Sequence, residues 1–163
     1  MGIRAGSVAV NGPAGAPVKA GSIIAEFRIL VVEDNKPFLD FVTSTLRRQP
    51  NLRIVGEAHN GIDAVERAEN LQPDLILLDI GLPGLNGIAA ARRIRGLAPD
   101  ARILFLTHET SEEIVREAFE LGAWGYVVKT HAGKELSLAI ETILGGKKFV
   151  SDGLDGRAHV SWT

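Results

Sequence analysis

Five apolar, β-branched runs begin at Phe27, Leu52, Leu75, Ala101 and Gly125, 23 to 26 residues apart. No other feature of the chain narrows its fold so far. Such an interval accommodates one strand, one loop and one helix of about three or four turns. The intervening segments carry helical signals. Pro37 suits the first turn of a helix holding Phe38, Phe41, Val42 and Leu46. Asn60-Gly61 opens a segment with Ala64, Val65 and Ala68 on one side, and Pro73 stops it. Asn86 precedes Ile88 to Arg95, and Pro99 marks their end. Thr110 or Ser111 can cap a helix that turns Ile114, Val115, Ala118 and Phe119 inward. Leu136, Ala139, Ile140 and Ile143 form a regular helical stripe closed by Gly145-Gly146.

The order is therefore strand then helix, five times over. Right-handed crossovers place the helices on both faces of a five-stranded parallel sheet. The expected fold is a flavodoxin-like (βα)5 doubly wound sandwich with strand order 2-1-3-4-5. Residues 1–26 differ in character: thirteen are Gly, Ala or Pro and no period is sustained. They read as a flexible N-terminal extension, residues 27–149 as the folded domain and residues 150–163 as a C-terminal tail.

Composition sets limits on function. At 45% hydrophobic and 23% charged, the chain suits one globular domain. A formal net charge of −2 offers no long-range attraction for nucleic acid or acidic membrane. With no cysteine there is neither a disulfide framework nor a thiolate metal site. No apolar stretch reaches the ~20 residues that span a bilayer, and the N-terminus lacks the apolar core of a secretory signal. These features fit a cytoplasmic protein.

Four of the runs end in polar residues. Phe27 to Val32 leads into Glu33-Asp34, and Leu75 to Leu78 into Asp79. Ala101 to Leu106 leads into Thr107, and Gly125 to Val128 into Lys129. Parallel strands bring all five to one edge, where open α/β sheets bind ligands. Glu33, Asp34 and Asp79 clustered there repel one another unless a cation or proton relieves them. Hard oxygen ligands favour Mg²⁺. Asp79 is then a ligand only, or also a nucleophile toward phosphorus. Lys129 could neutralise a phosphoryl group and Thr107 donate to it. Singly, Glu33-Asp34 reads as a solvated pair, Thr107 as a strand-end threonine and Lys129 as a surface lysine; their joint placement reverses these readings. Gly81, Gly84 and Gly87 lack dinucleotide-loop spacing and read as turn residues. The four histidines lack helical ligand spacing for zinc. Arg92, Arg93 and Arg95 read as a solvated helix face.

The segments Val31-Val32-Glu33-Asp34-Asn35, Leu77 to Gly87, Leu106-Thr107 and Gly125 to Lys129 closely resemble a bacterial two-component response regulator receiver domain. The resemblance covers Phe27 to Phe149. It implies that Asp79 is the phosphoacceptor and Asp34 a direct Mg²⁺ ligand, with Glu33 acting through water and the Gly81 carbonyl completing the metal shell. It implies that Lys129 pairs with the phosphoryl group and that Thr107 moves toward it. Tyr126 matches an aromatic switch position, expected to rotate inward as Thr107 shifts. The face made by the fourth helix, fifth strand and fifth helix would then change its partner binding. The expected partners are a sensor histidine kinase or histidine phosphotransfer protein and, through that face, a second copy of the chain.

Thr130 follows Lys129 where many receivers carry proline. With Gly145 to Ser151, this resembles the LuxR/NarL-like subgroup, usually joined to a DNA-binding domain. No such output domain is readable here, so a stand-alone phosphorelay switch is expected, without nucleic-acid binding or turnover. His108 puts an imidazole where a small residue is usual, and is expected to narrow access and slow phosphorylation or hydrolysis. Equal phosphoryl lifetimes in wild type and His108→Ala would remove that idea. One rival is the receiver portion of a LuxR-type transcription regulator, which duplex DNA binding by this chain would support. A phosphatase of the haloacid-dehalogenase type is another, but Gly81 stands where its general acid would be. A degenerate scaffold fits poorly with five intact site residues.

Overall fold

The structure, a computed structural model, describes residues 26–154. The expected N-terminal extension, apart from Glu26, and the last nine residues of the expected tail lie outside them. The elements run β1 (Phe27–Val32), α1 (Lys36–Arg47), β2 (Leu52–Ala58), α2 (Gly61–Leu71), β3 (Leu75–Leu78) and α3 (Gly87–Leu97). Then follow β4 (Arg102–Thr107), α4 (Glu112–Glu120), β5 (Gly125–Val128), α5 (Ala132–Leu144) and β6 (Phe149–Val150).

The sheet order is β2-β1-β3-β4-β5-β6, every pairing parallel. Alternate strand residues feed two cores. Leu30, Val32, Ile76, Leu78, Phe105 and Tyr126 pack with α2, α3 and α4 on one face. Ile29, Val31, Leu75, Leu77, Leu104 and Val127 pack with α1 and α5 on the other. Burial on both faces explains why these strands read as continuous apolar runs.

Side chains cap four of the helices. Asn35, Asn60 and Asn86 accept from Phe38, Asp63 and Ala89 amides at 2.9, 2.8 and 2.9 Å. Of the two candidates before α4, Ser111 is the cap, accepting from the Ile114 amide. Such caps satisfy amides that the first helical turn leaves unpaired. α5 has no side-chain cap and grows out of a single 3-10 turn, Lys129–His131.

The sixth strand extends the expected five, and it begins at Phe149, where the domain was expected to give way to a tail. Phe149 and Val150 are too short a run to show a period, yet β5 would otherwise carry an unpaired outer edge. The Ser151 amide donates to the Tyr126 carbonyl at 2.8 Å and continues the ladder. Ser151 and Leu154 are buried, so the segment after Phe149 packs into the body of the domain. Among the described residues no helix is long and apolar enough to cross a membrane.

Candidate functional site

Strand register delivers the site. Val32 pairs with Leu78, so Glu33 and Asp79, the next residue of each, leave the sheet side by side. Thr107 pairs with Val128, which puts Lys129 one residue beyond. Gly87 fixes the loop that follows Asp79. A Cβ there would lie 2.1 Å from the Asp79 carbonyl oxygen, so only glycine lets α3 start this close. The Gly87 amide donates to the Ile80 carbonyl at 2.8 Å, and the Gly81 amide donates to Asp79 Oδ1 at 3.1 Å.

Lys129 Nζ donates to Glu33 Oε2 at 3.0 Å and to Asp79 Oδ2 at 2.9 Å, and all three side chains are buried. Asp34 stays exposed at the rim. One carboxylate oxygen from each of Glu33, Asp34 and Asp79 lies within 4.8 Å of the others. Three carboxylates face one ammonium. Burial is the largest influence on Glu33 and raises its pKa, against lowering by Lys129 and the Asn35 amide. Burial acts to lower Lys129, but its hydrogen bonds to Glu33 and Asp79 outweigh that and hold it charged. A surplus of hard, converging oxygen donors suits a small divalent cation.

Asp34, Asn35, Phe38, Asp79, Gly81, Thr107, His108, Glu109 and Lys129 border a cleft of about 460 Å³. A larger groove of about 740 Å³ follows the outer edge of β2 but holds none of the three carboxylates. Thr107 is buried, and its Oγ1 accepts from the Glu109 amide at 3.3 Å. Tyr126 lies behind the cleft, and its hydroxyl donates to the Glu109 carbonyl at 2.8 Å. One residue, Glu109, thus joins Thr107 to Tyr126. The expectation was that Tyr126 would rotate inward. In this conformation its ring is already fully buried, between Phe105 and Phe119 at 6.1 and 6.4 Å. That hydrogen bond and those rings hold it there.

The sequence reading placed Phe38 in the first helix and gave it no part in the site. Its ring lies 4.7 Å from Lys129 Nζ. The available signal was position: the first turn of a helix that starts directly after Glu33-Asp34. Asn35 was also missed; its amide donates to Glu33 Oε2 at 3.0 Å.

The family model for the response regulator receiver domain matches residues 29–141. This chain belongs to that family. The receiver is 34% identical over 126 residues to the nitrate/nitrite response regulator protein NarL of Escherichia coli strain K12, covering 77% of this chain and 58% of NarL. To the DNA-binding transcriptional activator DevR/DosR of Mycobacterium tuberculosis it is 36% identical over 131 residues, covering 80% of this chain and 58% of that protein. It thus spans little more than half the length of these relatives. A LuxR-family two-component response regulator from Aurantimonas sp. SI85-9A1 superposes with a TM-score of 0.77 at 34% identity, covering 82% of this receiver and 95% of that chain. The sandwich fold and the LuxR/NarL affinity expected from the residues both hold.

Proposed function

We propose that the receiver accepts a phosphoryl group on Asp79 in a Mg²⁺-dependent reaction, with a sensor histidine kinase or histidine phosphotransfer protein as donor. The observation that carries this reading is the placement of Asp79: bonded to Lys129, within 4.8 Å of Glu33 and Asp34 oxygens, and facing the cleft. An Asp79 carboxylate oxygen forms the new bond to phosphorus as the bond from phosphorus to the donor nitrogen breaks. Glu33, Asp34, Asp79 and the Gly81 carbonyl would hold Mg²⁺, which supplies charge neutralisation at the phosphoryl oxygens. Lys129 pairs with those oxygens, and Thr107 donates its hydroxyl hydrogen to one. The chain is consumed as substrate and regenerated by hydrolysis, so it acts as a cytoplasmic switch rather than a turnover enzyme.

A phosphoryl group adds about −1.5 to −2 charges at pH 7. When Thr107 turns toward it, the Glu109 amide loses its acceptor and the loop carrying the Tyr126 hydrogen bond is freed to shift. The α4-β5-α5 face then changes, favouring partner binding and a homodimer through that face. A second reading, the receiver portion of a LuxR-type DNA-binding regulator, is favoured by the 58% coverage of NarL and DevR/DosR.

Acetyl phosphate or phosphoramidate supplies the test, with and without Mg²⁺, on wild type and Asp79→Asn. A mass gain of one phosphoryl group that needs both Mg²⁺ and Asp79 is expected. No gain in wild type with either donor would leave a phosphorylation-independent interaction domain as the better account.

A further inference from the structure

We propose that Phe38 is a positioning residue for Lys129, its ring face retaining the ammonium at the cleft once Glu33 and Asp79 are engaged by a metal ion. The proposal rests on the functional reading above and deepens it.

Lys129 Nζ has two carboxylate partners, Glu33 and Asp79, and one aromatic neighbour, Phe38 at 4.7 Å from the ring centroid. An ammonium within about 6 Å of a ring face is attracted by the negative face of the quadrupole, more strongly when water is excluded. Lys129 is only 9% exposed, so water does not replace a lost partner there.

The two carboxylates have a second use. With Asp34 they form the cluster whose oxygens lie within 4.8 Å of one another. When oxygens of those carboxylates ligate a divalent cation, the negative charge facing Lys129 is shared with the metal and a like charge lies close by. The flexible four-carbon stem then has less reason to keep its conformation. The aromatic ring offers no ligand to Mg²⁺, so its attraction for the ammonium survives. Phe38 thereby keeps Lys129 ready for an incoming phosphoryl group in the loaded, unphosphorylated state.

The ring is itself held in register with the acidic pair. The Phe38 amide donates to Asn35 Oδ1 at 2.9 Å, and the Asn35 amide donates to Glu33 Oε2 at 3.0 Å. Phe41 packs against the ring with centroids 5.5 Å apart. These contacts tie the start of α1, and with it the ring, to the acidic pair.

The test compares wild type, Phe38→Tyr, Phe38→Leu and a protein carrying pentafluorophenylalanine at position 38. The fluorinated ring keeps nearly the same shape but reverses the quadrupole. With acetyl phosphate at saturating Mg²⁺, the leucine and fluorinated forms should phosphorylate about two- to thirtyfold more slowly, at unchanged Mg²⁺ affinity. Phe38→Tyr should restore the rate. A fluorinated form as fast as wild type beside a slow Phe38→Leu would mean packing alone, and would overturn the proposal. A second readout needs no phosphodonor. The Lys129 ε-protons should keep their upfield ring-current shift when Mg²⁺ is added, and loss of that shift would overturn the proposal. Absence of any phosphorylation in wild type would sink the functional reading instead, while the ring-current result still decides where Phe38 holds Lys129.

Discussion

Lys129 stays charged in a place where a lysine without partners would be driven toward neutrality, because Glu33 and Asp79 answer it directly. Tyr126 shows burial acting without such an answer. Burial, then the charges of Glu109 and Asp79, push its phenol well above the ordinary value of 10.0. The folded chain therefore keeps the phenolic proton at pH values where the unfolded chain loses it. Stability linked to Tyr126 is full below pH 10 and declines as pH rises above it. Since the chain has one tyrosine, near-ultraviolet phenolate absorbance reads this residue alone. Folded protein should show almost none just above pH 10, and denatured protein an ordinary titration; an ordinary midpoint in the folded state would contradict this account. Gly87→Ala should cost several-fold more stability than the ~1 kcal/mol of a helical glycine exchange, and in the unfavourable direction. The added methyl group meets the Asp79 carbonyl, and a denaturation midpoint equal to wild type would count against that close approach.

At the scale of elements, the segment after α5 completes the domain. Ser151 Oγ accepts from the Val128 amide at 3.1 Å and donates to Glu135, whose other oxygen accepts from the Asp152 amide at 3.0 Å. Val128 precedes Lys129, so this clamp braces the site lysine from behind. Ser151→Ala strands the buried Val128 amide and should cost about 1–3 kcal/mol. Urea denaturation measures the cost, and faster hydrogen exchange at Val128 should accompany it. Unchanged exchange there would argue against the clamp. Asn35→Ala should cost about 1 kcal/mol through the lost cap of α1. The Asn35 amide that donates to Glu33 belongs to the backbone and is kept in this variant, so the loss should be confined to the cap.

Across the molecule, two apolar cores hold a sheet whose carboxyl edge carries three carboxylates against one buried ammonium. Like charges so placed repel one another, and a bound cation would relieve them. On the proposed reading, Mg²⁺ at about 100 times its dissociation constant should add about 2.7 kcal/mol of stability. Asp34→Asn should remove most of this gain while leaving the metal-free protein as stable as wild type or more so, because it relieves like-charge repulsion at an exposed rim. Thermal melts of both proteins with Mg²⁺ and with a chelator check this. A full Mg²⁺ response in Asp34→Asn would remove Asp34 from the ligand set.

The sequence by itself determined the alternation of strand and helix, the polar residues Asn60, Asn86 and Ser111 at the start of three helices, and the polar residues that end the strands. These are local signals: runs of about six apolar residues between turns, and short polar side chains placed before helices. Strand-end position alone was enough to bring Glu33, Asp79, Thr107 and Lys129 into one neighbourhood, because parallel register adds no freedom once the sheet forms. Only the tertiary structure decided the rest. β6 is too short to show a period, and exists because β5 has an edge to cover. Phe38 looks like any apolar residue of an amphipathic helix until α1 packs across Lys129. The inward ring of Tyr126 is set by Phe105, Phe119 and the Glu109 carbonyl, which come from β4, α4 and the loop between them. Contacts between residues far apart in sequence leave no period to read, so they become visible only when the chain has folded.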